Sequence, residues 1–260
     1  KKKILIVGAL GYLGSELSRY LLKLDYEVVG IDIGLFQFGI MRYPQIFEIG
    51  YKSASEINEH DIKGFDVVIQ LAGISNDPFS DFEPNRIYDP TRTYAVNIAK
   101  ICKKLGVKYI FPSSCSVYGY SDSPITELDP TFPKTPYSKN KIDIEQDLMQ
   151  LADDSFSPIA LRLATVFGFS DRIRFDVVIN MLAGMAYSER KVVLNSDGSA
   201  WRPHVHISDV CQAFEQVIEF DYTSPELLVL NVGKDSNNWQ ILDVAKCICQ
   251  LVEGCKLEFL

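Results

Sequence analysis

The stretch KKKILIVGALGYLG, residues 1–14, runs three lysines into a short apolar segment and then into glycines at 8, 11 and 14. KILIVG (3–8) has strand length, and YLGSELSRYLLKL (12–24) takes up helical apolar spacing at once. Lysines ahead of an apolar run also open secretion signals. Here glycines interrupt the run and no small-x-small cleavage site follows, so the reading is a strand that enters a glycine turn and leaves as a helix. Such a turn suits a pyrophosphate: glycine permits the sharp bend and a close backbone approach, and the helix N-terminus supplies N–H donors and partial positive charge.

The same alternation continues downstream. EVVGID (27–32), DVVIQLA (66–72) and VKYIFPSS (107–114) are apolar runs of strand length separated by helix-patterned segments. Unbroken Val/Ile runs mark strands buried on both faces, and the alternation predicts right-handed βαβ units in a doubly wound parallel α/β sheet. Asp89 as a cap and Pro90 in the first turn predict a helix over Thr91–Leu105, ending at Gly106. Beyond about residue 165 loops such as SDRIR (170–174) and NSDGSAWRP (195–203) break the regularity. Residues 1–165 are therefore expected to form the cofactor domain, and 166–260 a smaller substrate-binding portion with some elements returning to the first.

At 47% hydrophobic, 260 residues can bury a sizeable core. With 26 Lys and Arg against 34 Asp and Glu, the net charge of −8 argues against nucleic-acid or membrane-surface partners. An anionic ligand would need a local basic pocket. No apolar run reaches the roughly 18 residues of a membrane span, so a soluble protein is expected. Six cysteines without a CxxC pair, and three histidines, leave little for a zinc site, so no metal is expected and a reducing cytoplasm fits. Cys247 and Cys249 are expected as small buried hydrophobes, and His204 and His206 on opposite strand faces.

Two tyrosine–lysine pairs share one spacing, YSKNK (137–141) and YSERK (187–191). The first follows Pro133 and Pro136 and leads a helix-patterned segment, so Tyr137 and Lys141 share a helix face. The second runs off a helix end: Tyr187 is expected to pack, with Arg190 and Lys191 as terminal charges. A tyrosine, ordinarily titrating near 10, becomes a base for a carbinol hydroxyl when a lysine ammonium stabilises the phenolate. Ser113, Ser114 and Ser116 in PSSCSVYG (112–119) offer donors to position that hydroxyl. Asp32, closing the second strand, suits adenosine ribose hydroxyls and repels a 2′-phosphate, which selects NAD over NADP.

GALGYLG, Asp32, DVVIQLAG, FPSSCSVYG, YSKNK, LRLATVFG (161–168) and WRPHVHISDV (201–210) together resemble an extended short-chain dehydrogenase/reductase of the nucleotide-sugar epimerase and dehydratase group. The resemblance implies a Rossmann-type sheet and a catalytic triad of Ser114, Tyr137 and Lys141. It implies NAD contacts from Gly8, Gly11, Tyr12, Leu13, Gly14, Asp32, Leu71, Ala72, Gly73, Ser113, Tyr137 and Lys141. It implies contacts to a UDP- or GDP-linked sugar from Ser114, Ser116, Thr165, Arg174, Asn180 and Arg202. The loop with Arg172 and Phe175 is expected to contribute, and a homodimer through the helices near 90–105 and 136–151 is implied. A guanidinium at 202 suits a diphosphate bidentately.

Within that group, dehydratases follow the catalytic hydroxyl residue with Asp-Glu, whereas Ser114 precedes Cys115 and Ser116. The 3,5-epimerases place a cysteine two residues after the serine, a place taken here by Ser116. The further residues of UDP-glucuronate decarboxylation are not found. What remains is oxidation at a sugar carbinol, usually C4: the ketone is re-reduced by a 4-epimerase or released by a 4-dehydrogenase. A non-catalytic NAD-binding regulator is the reading from another class, disfavoured because serine, tyrosine and lysine are all kept. The group's adenine-binding acid is replaced at IGYKS (49–53) by Tyr51 and Lys52, which leaves Asp61, a backbone contact or a different loop alignment to serve the adenine. The asparagine beside its active site has no counterpart with an assigned role at Thr91 or Asn97. The chain stops where the group usually continues for some tens of residues, which predicts a shortened chain or an open pocket.

Overall fold

Strand β1 (Lys3–Val7) leads through the glycine turn into helix α1 (Tyr12–Lys23), and β2 (Glu27–Asp32) returns in parallel beside β1. This computed structural model describes residues 1–42, 48–75, 83–121 and 123–260, with 84–87 by backbone alone. The chain continues through β3 (Glu48–Tyr51), the short α2 (Glu59–Ile62), β4 (Val67–Gln70), α3 (Pro84–Leu105), β5 (Lys108–Ser114) and α4 (Pro136–Leu151). Then come β6 (Ile159–Leu163), β7 (Thr165–Phe167), α5 (Val178–Glu189), β8 (Lys191–Leu194), β9 (Trp201–His206) and α6 (Ile207–Glu219). The last elements are β10 (Leu228–Val232), β11 (Asn238–Gln240), α7 (Ile241–Leu251) and β12 (Lys256–Phe259).

Seven strands form one sheet in the order β10-β6-β5-β4-β1-β2-β3, with every adjacent pair parallel. This is the parallel sheet that the alternating pattern predicts, of the Rossmann type that the family resemblance implies. Successive side chains point to opposite faces, and both faces are covered. Ile4 and Ile6 pack with Leu17 and Leu21 of α1 and Val210 and Phe214 of α6. Leu5 and Val7 pack with Ala95, Ile98 and Cys102 of α3 and Ile144 and Leu148 of α4. The winding diverges between β1 and β4, so a crevice opens at their carboxyl ends, where Gly8 and Leu71–Gly73 lie.

A smaller layer stands beside this crevice. β7, β9 and β11 form a three-stranded sheet, and β8 pairs with β12 under Leu182 and Ala186 of α5 and Val244 and Ala245 of α7. β10 joins the large sheet instead, so the chain after 165 contributes to both layers. No helix among the described residues is long and apolar enough to cross a membrane. No cluster able to hold a metal ion occurs among them.

Several expectations need correction. The helix expected from Asp89 begins at Pro84, and Pro90 lies inside it. Either proline suits a first turn, so local sequence does not choose between them. Burial of Tyr88, and a 3.0 Å bond from Asn140 Nδ2 to its carbonyl, hold the turn ahead of Pro90 against the loss of one helical bond. Tyr187 does not pack: it is 77% exposed, because α5 turns Leu182 and Ala186 inward. Arg190 ends that helix at φ 54°, and Lys191 already belongs to β8. Cys247 is exposed and Cys249 only half-buried, since α7 commits Val244 and Ala245 to the core. His204 and His206 share one face of β9, as residues two apart in a strand must, with the Phe167 ring 6.4 and 5.3 Å away.

Candidate active site

Gly8 adopts φ +91°, and a Cβ there would lie 2.6 Å from the Ala72 nitrogen. On Gly14 it would lie 2.1 Å from the Gly8 carbonyl. Both contacts are impossible for a side chain, so the turn, the exit of β4 and the start of α1 close together only through glycine. Leu71 and Ala72 each donate a backbone N–H to the Val7 carbonyl at 2.8 Å. Asp32 faces the turn: its carboxylate accepts from Leu10 N at 2.9 Å and from Gly34 N at 2.8 Å. Leu13 packs into the core beneath, and the buried Tyr12 hydroxyl donates to the Gly168 carbonyl at 2.8 Å.

At the end of β5, Ser113 donates to the buried Glu145 carboxylate. Ser114 Oγ accepts from Ser116 N at 3.2 Å and from Ser116 Oγ at 2.9 Å. Cys115 opens a tight turn rather than extending the strand, and its thiol donates to the Arg162 carbonyl at 3.2 Å. α4 starts where Thr135 and Ser138 cap each other and Pro136 takes the first position. That start puts Tyr137 and Lys141 one turn apart. Lys141 Nζ donates to the Pro112 carbonyl at 2.8 Å and stands 4.5 Å from the Phe111 ring centre and 5.5 Å from that of Tyr137. Burial of the ammonium pushes Lys141 down to about 8, against the opposing charge of Glu145.

Two residues beneath the site escaped the sequence reading. Glu145 accepts from Arg162 Nη2 at 2.6 Å and Nε at 3.1 Å, and both side chains are buried. Arg162 also donates to the Tyr118 hydroxyl at 2.7 Å, which donates to Asn231 at 2.7 Å. A charged residue inside the apolar strand IALRL (159–163) was the available signal. Thr91, named above without a role, is buried and accepts from the Tyr94 hydroxyl at 3.1 Å, and its methyl would lie 3.1 Å from a Cβ on Gly73.

The expected substrate residues divide. Arg202 and the half-buried Thr165 belong to the small sheet, where Thr165 pairs with His204 and so lies on the face that Arg202 shares. Arg202 donates to its neighbour's carbonyl at 2.9 Å and stands 5.9 Å from the Tyr120 ring centre, with no carboxylate partner among the described residues. Arg174 is already compensated by Asp176 at 2.6 Å and donates to Ser75 Oγ at 2.7 Å, while remaining close enough to couple with Tyr137. Asn180 is 7% exposed. It is buried, accepting from Gly168 N at 2.9 Å and donating to the Arg174 carbonyl at 3.0 Å, so it braces the two loops. Arg172 stacks on Phe36, 4.1 Å from its ring centre. Asp61 pairs through Oδ2 with Lys52 at 2.7 Å and with the Asn58 N–H at 2.8 Å, capping α2.

Residues 4–233 match the model of the NAD dependent epimerase/dehydratase family. The UDP-glucose 4-epimerase of Bacillus subtilis is 29% identical over 286 residues, covering 98% of this chain and 84% of that protein. Among solved structures, the UDP-N-acetylglucosamine 4-epimerase of Methanobrevibacter ruminantium in complex with UDP-N-acetylmuramic acid has a TM-score of 0.88 at 24% identity, covering 100% of this chain and 85% of that one. The UDP-glucuronic acid 4-epimerase of Bacillus cereus in complex with UDP-glucuronic acid and NAD has a TM-score of 0.84 at 24% identity, covering 99% and 86%. The side-chain-free cradle at Gly8 and Gly14, faced by the Asp32 carboxylate, fits a dinucleotide. The chain belongs to the NAD-dependent epimerase/dehydratase family, and its cofactor is NAD.

Proposed function

We propose that the protein is a nucleotide-sugar 4-epimerase that acts through a 4-keto intermediate. The observation that carries this reading is the Lys141 ammonium held 5.5 Å from the Tyr137 ring centre, on a helix that packs against the strand ending in Ser114. Bound NAD supplies the hydride acceptor and, in the reverse sense, the donor. Ser114 orients the sugar hydroxyl at C4, and Tyr137 as phenolate removes its proton. Lys141 lowers the cost of that phenolate. When the opposite face of the ketone is reduced, Tyr137 returns the proton and the epimer forms. Arg202 anchors the diphosphate, with Thr165 and Ser116 beside the sugar. Residues 1–165 serve the cofactor and 166–260 the substrate, and Asn180 positions the loop that carries Arg174.

A UDP-linked hexose is the first candidate, because the Bacillus subtilis relative is named a UDP-glucose 4-epimerase. A GDP-linked sugar is the second. The deciding test incubates the protein with NAD and UDP- or GDP-hexoses and follows products by NMR. Interconversion of C4 epimers without net NADH is expected; a stable ketosugar with accumulating NADH would replace the epimerase by a dehydrogenase.

A further inference from the structure

The thiols of Cys249 and Cys255 meet: their Sγ atoms are 3.2 Å apart. Cys249 lies in the last turns of α7 and Cys255 immediately before β12. The chain reverses between them at Gly254, φ +75°, and Cys255 N donates to the Val252 carbonyl at 3.0 Å. The approach is therefore set by a hydrogen-bonded turn. Both residues are half-buried against the core formed by α5, α7 and β8. Cys102 and Cys211 are buried, Cys115 donates to a backbone carbonyl, and the exposed Cys247 projects from another side of α7. Among the described residues no other two thiols are in contact.

We infer that Cys249 and Cys255 form a reversible intramolecular disulfide by exchange with a small-molecule disulfide such as oxidised glutathione. Bond formation shortens the sulfur separation from 3.2 Å to about 2.0 Å, within reach of side-chain rotation. One cysteine thiolate attacks a glutathione sulfur, the glutathione S–S bond breaks, and one glutathione thiolate leaves. The second cysteine thiolate then attacks the protein sulfur of the mixed disulfide and expels the other glutathione. The two protein thiols give up two electrons and two protons, and oxidised glutathione takes them up as two thiols. Burial and the neighbouring Cys255 thiol push Cys249 up to about 11, so exchange quickens in mildly alkaline buffer as the thiolate fraction rises.

The link would tie the end of α7 to β12. The other end of α7 supports the loop entering the Arg202 strand: a Cβ on Gly198 would lie 2.9 Å from Leu242, and β11, which precedes α7, pairs Trp239 with Arg202. Clipping this unit is expected to raise the melting temperature by about 5 °C.

The test treats the native full chain with oxidised glutathione at mildly alkaline pH, blocks free thiols, and reads intact and peptide masses. Loss of two hydrogens, a cross-linked peptide joining 249 to 255, and reversal by dithiothreitol are expected. Cys247→Ser should behave like wild type, and Cys249→Ser should form no internal link. Six free thiols throughout, a glutathione adduct that persists on Cys255, or a covalent dimer through Cys247 would each overturn the inference.

Discussion

Lys141 holds its ammonium 5.5 Å from the centre of the Tyr137 ring while donating to the Pro112 carbonyl at 2.8 Å. The enclosure that aims this charge also weakens it, and burial brings the group down to about 8. Unfolded, a lysine titrates near 10.4. Between these values the unfolded chain binds the extra proton, so stability rises with pH from about 8 and levels off near 10.4. Activity should move the opposite way, because the ammonium supports the Tyr137 phenolate. The alkaline limb of kcat/KM is expected near pH 8, and Lys141→Met should lower kcat by about 100-fold or more without lowering the melting temperature. A profile flat through pH 9 would remove Lys141 from the proton chemistry.

Tyr137→Phe keeps the ring that packs 6.3 Å from Tyr88 and removes only the hydroxyl. Turnover should fall by about 100- to 10,000-fold, with NAD affinity within about twofold of wild type. Parallel turnover assays and NAD titrations check this. Turnover that survives would assign the proton to another group.

Arg202 has no carboxylate partner among the described residues, so its charge is available to a ligand. Arg202→Ala should weaken UDP binding by about 10- to 100-fold and leave NAD binding unchanged, consistent with one lost charged hydrogen-bond pair. Calorimetric titration of the two ligands separates these outcomes.

Glu145 and Arg162 are expected to be worth more as a pair than either is alone. Glu145→Leu strands a buried guanidinium and should cost about 3–5 kcal/mol in urea unfolding, whereas Glu145→Leu combined with Arg162→Met should regain most of it. Equal losses in the single and double variants would deny the coupling.

His204 is 2% exposed, and neither ring nitrogen has a hydrogen-bond partner among the described residues. Burial, then the charge of Arg202, holds its pKa below the ordinary imidazole value, so it is neutral at pH 7. His204→Phe, keeping the edge contact with Phe167, should raise stability by about 1 kcal/mol. A lower melting temperature would show that the imidazole nitrogens are satisfied.

The sheet was legible because a strand buried on both faces is apolar along its interior, as in ILIV (4–7) and VVGI (28–31). The glycine turn was legible for a similar reason, since only a residue without Cβ fits at 8 and 14. Tyr137 and Lys141 were placed by their helix start, which Thr135 and Pro136 mark locally.

Pairs that meet only in the fold were not legible. The Glu145–Arg162 pair depends on β6 lying beside β5, where Ser113 registers with Arg162. Asn180 became a brace when two loops folded onto it, and Cys249 found Cys255 through the reversal at Gly254. Backbone sterics and continuous burial act on neighbouring residues, so the doubly wound sheet, the glycine turn and the Tyr137–Lys141 spacing are written in the amino-acid sequence. Tertiary structure alone decided which charges are compensated, which thiols touch and which polar groups remain open to a substrate, because those depend on distances between segments far apart in the chain.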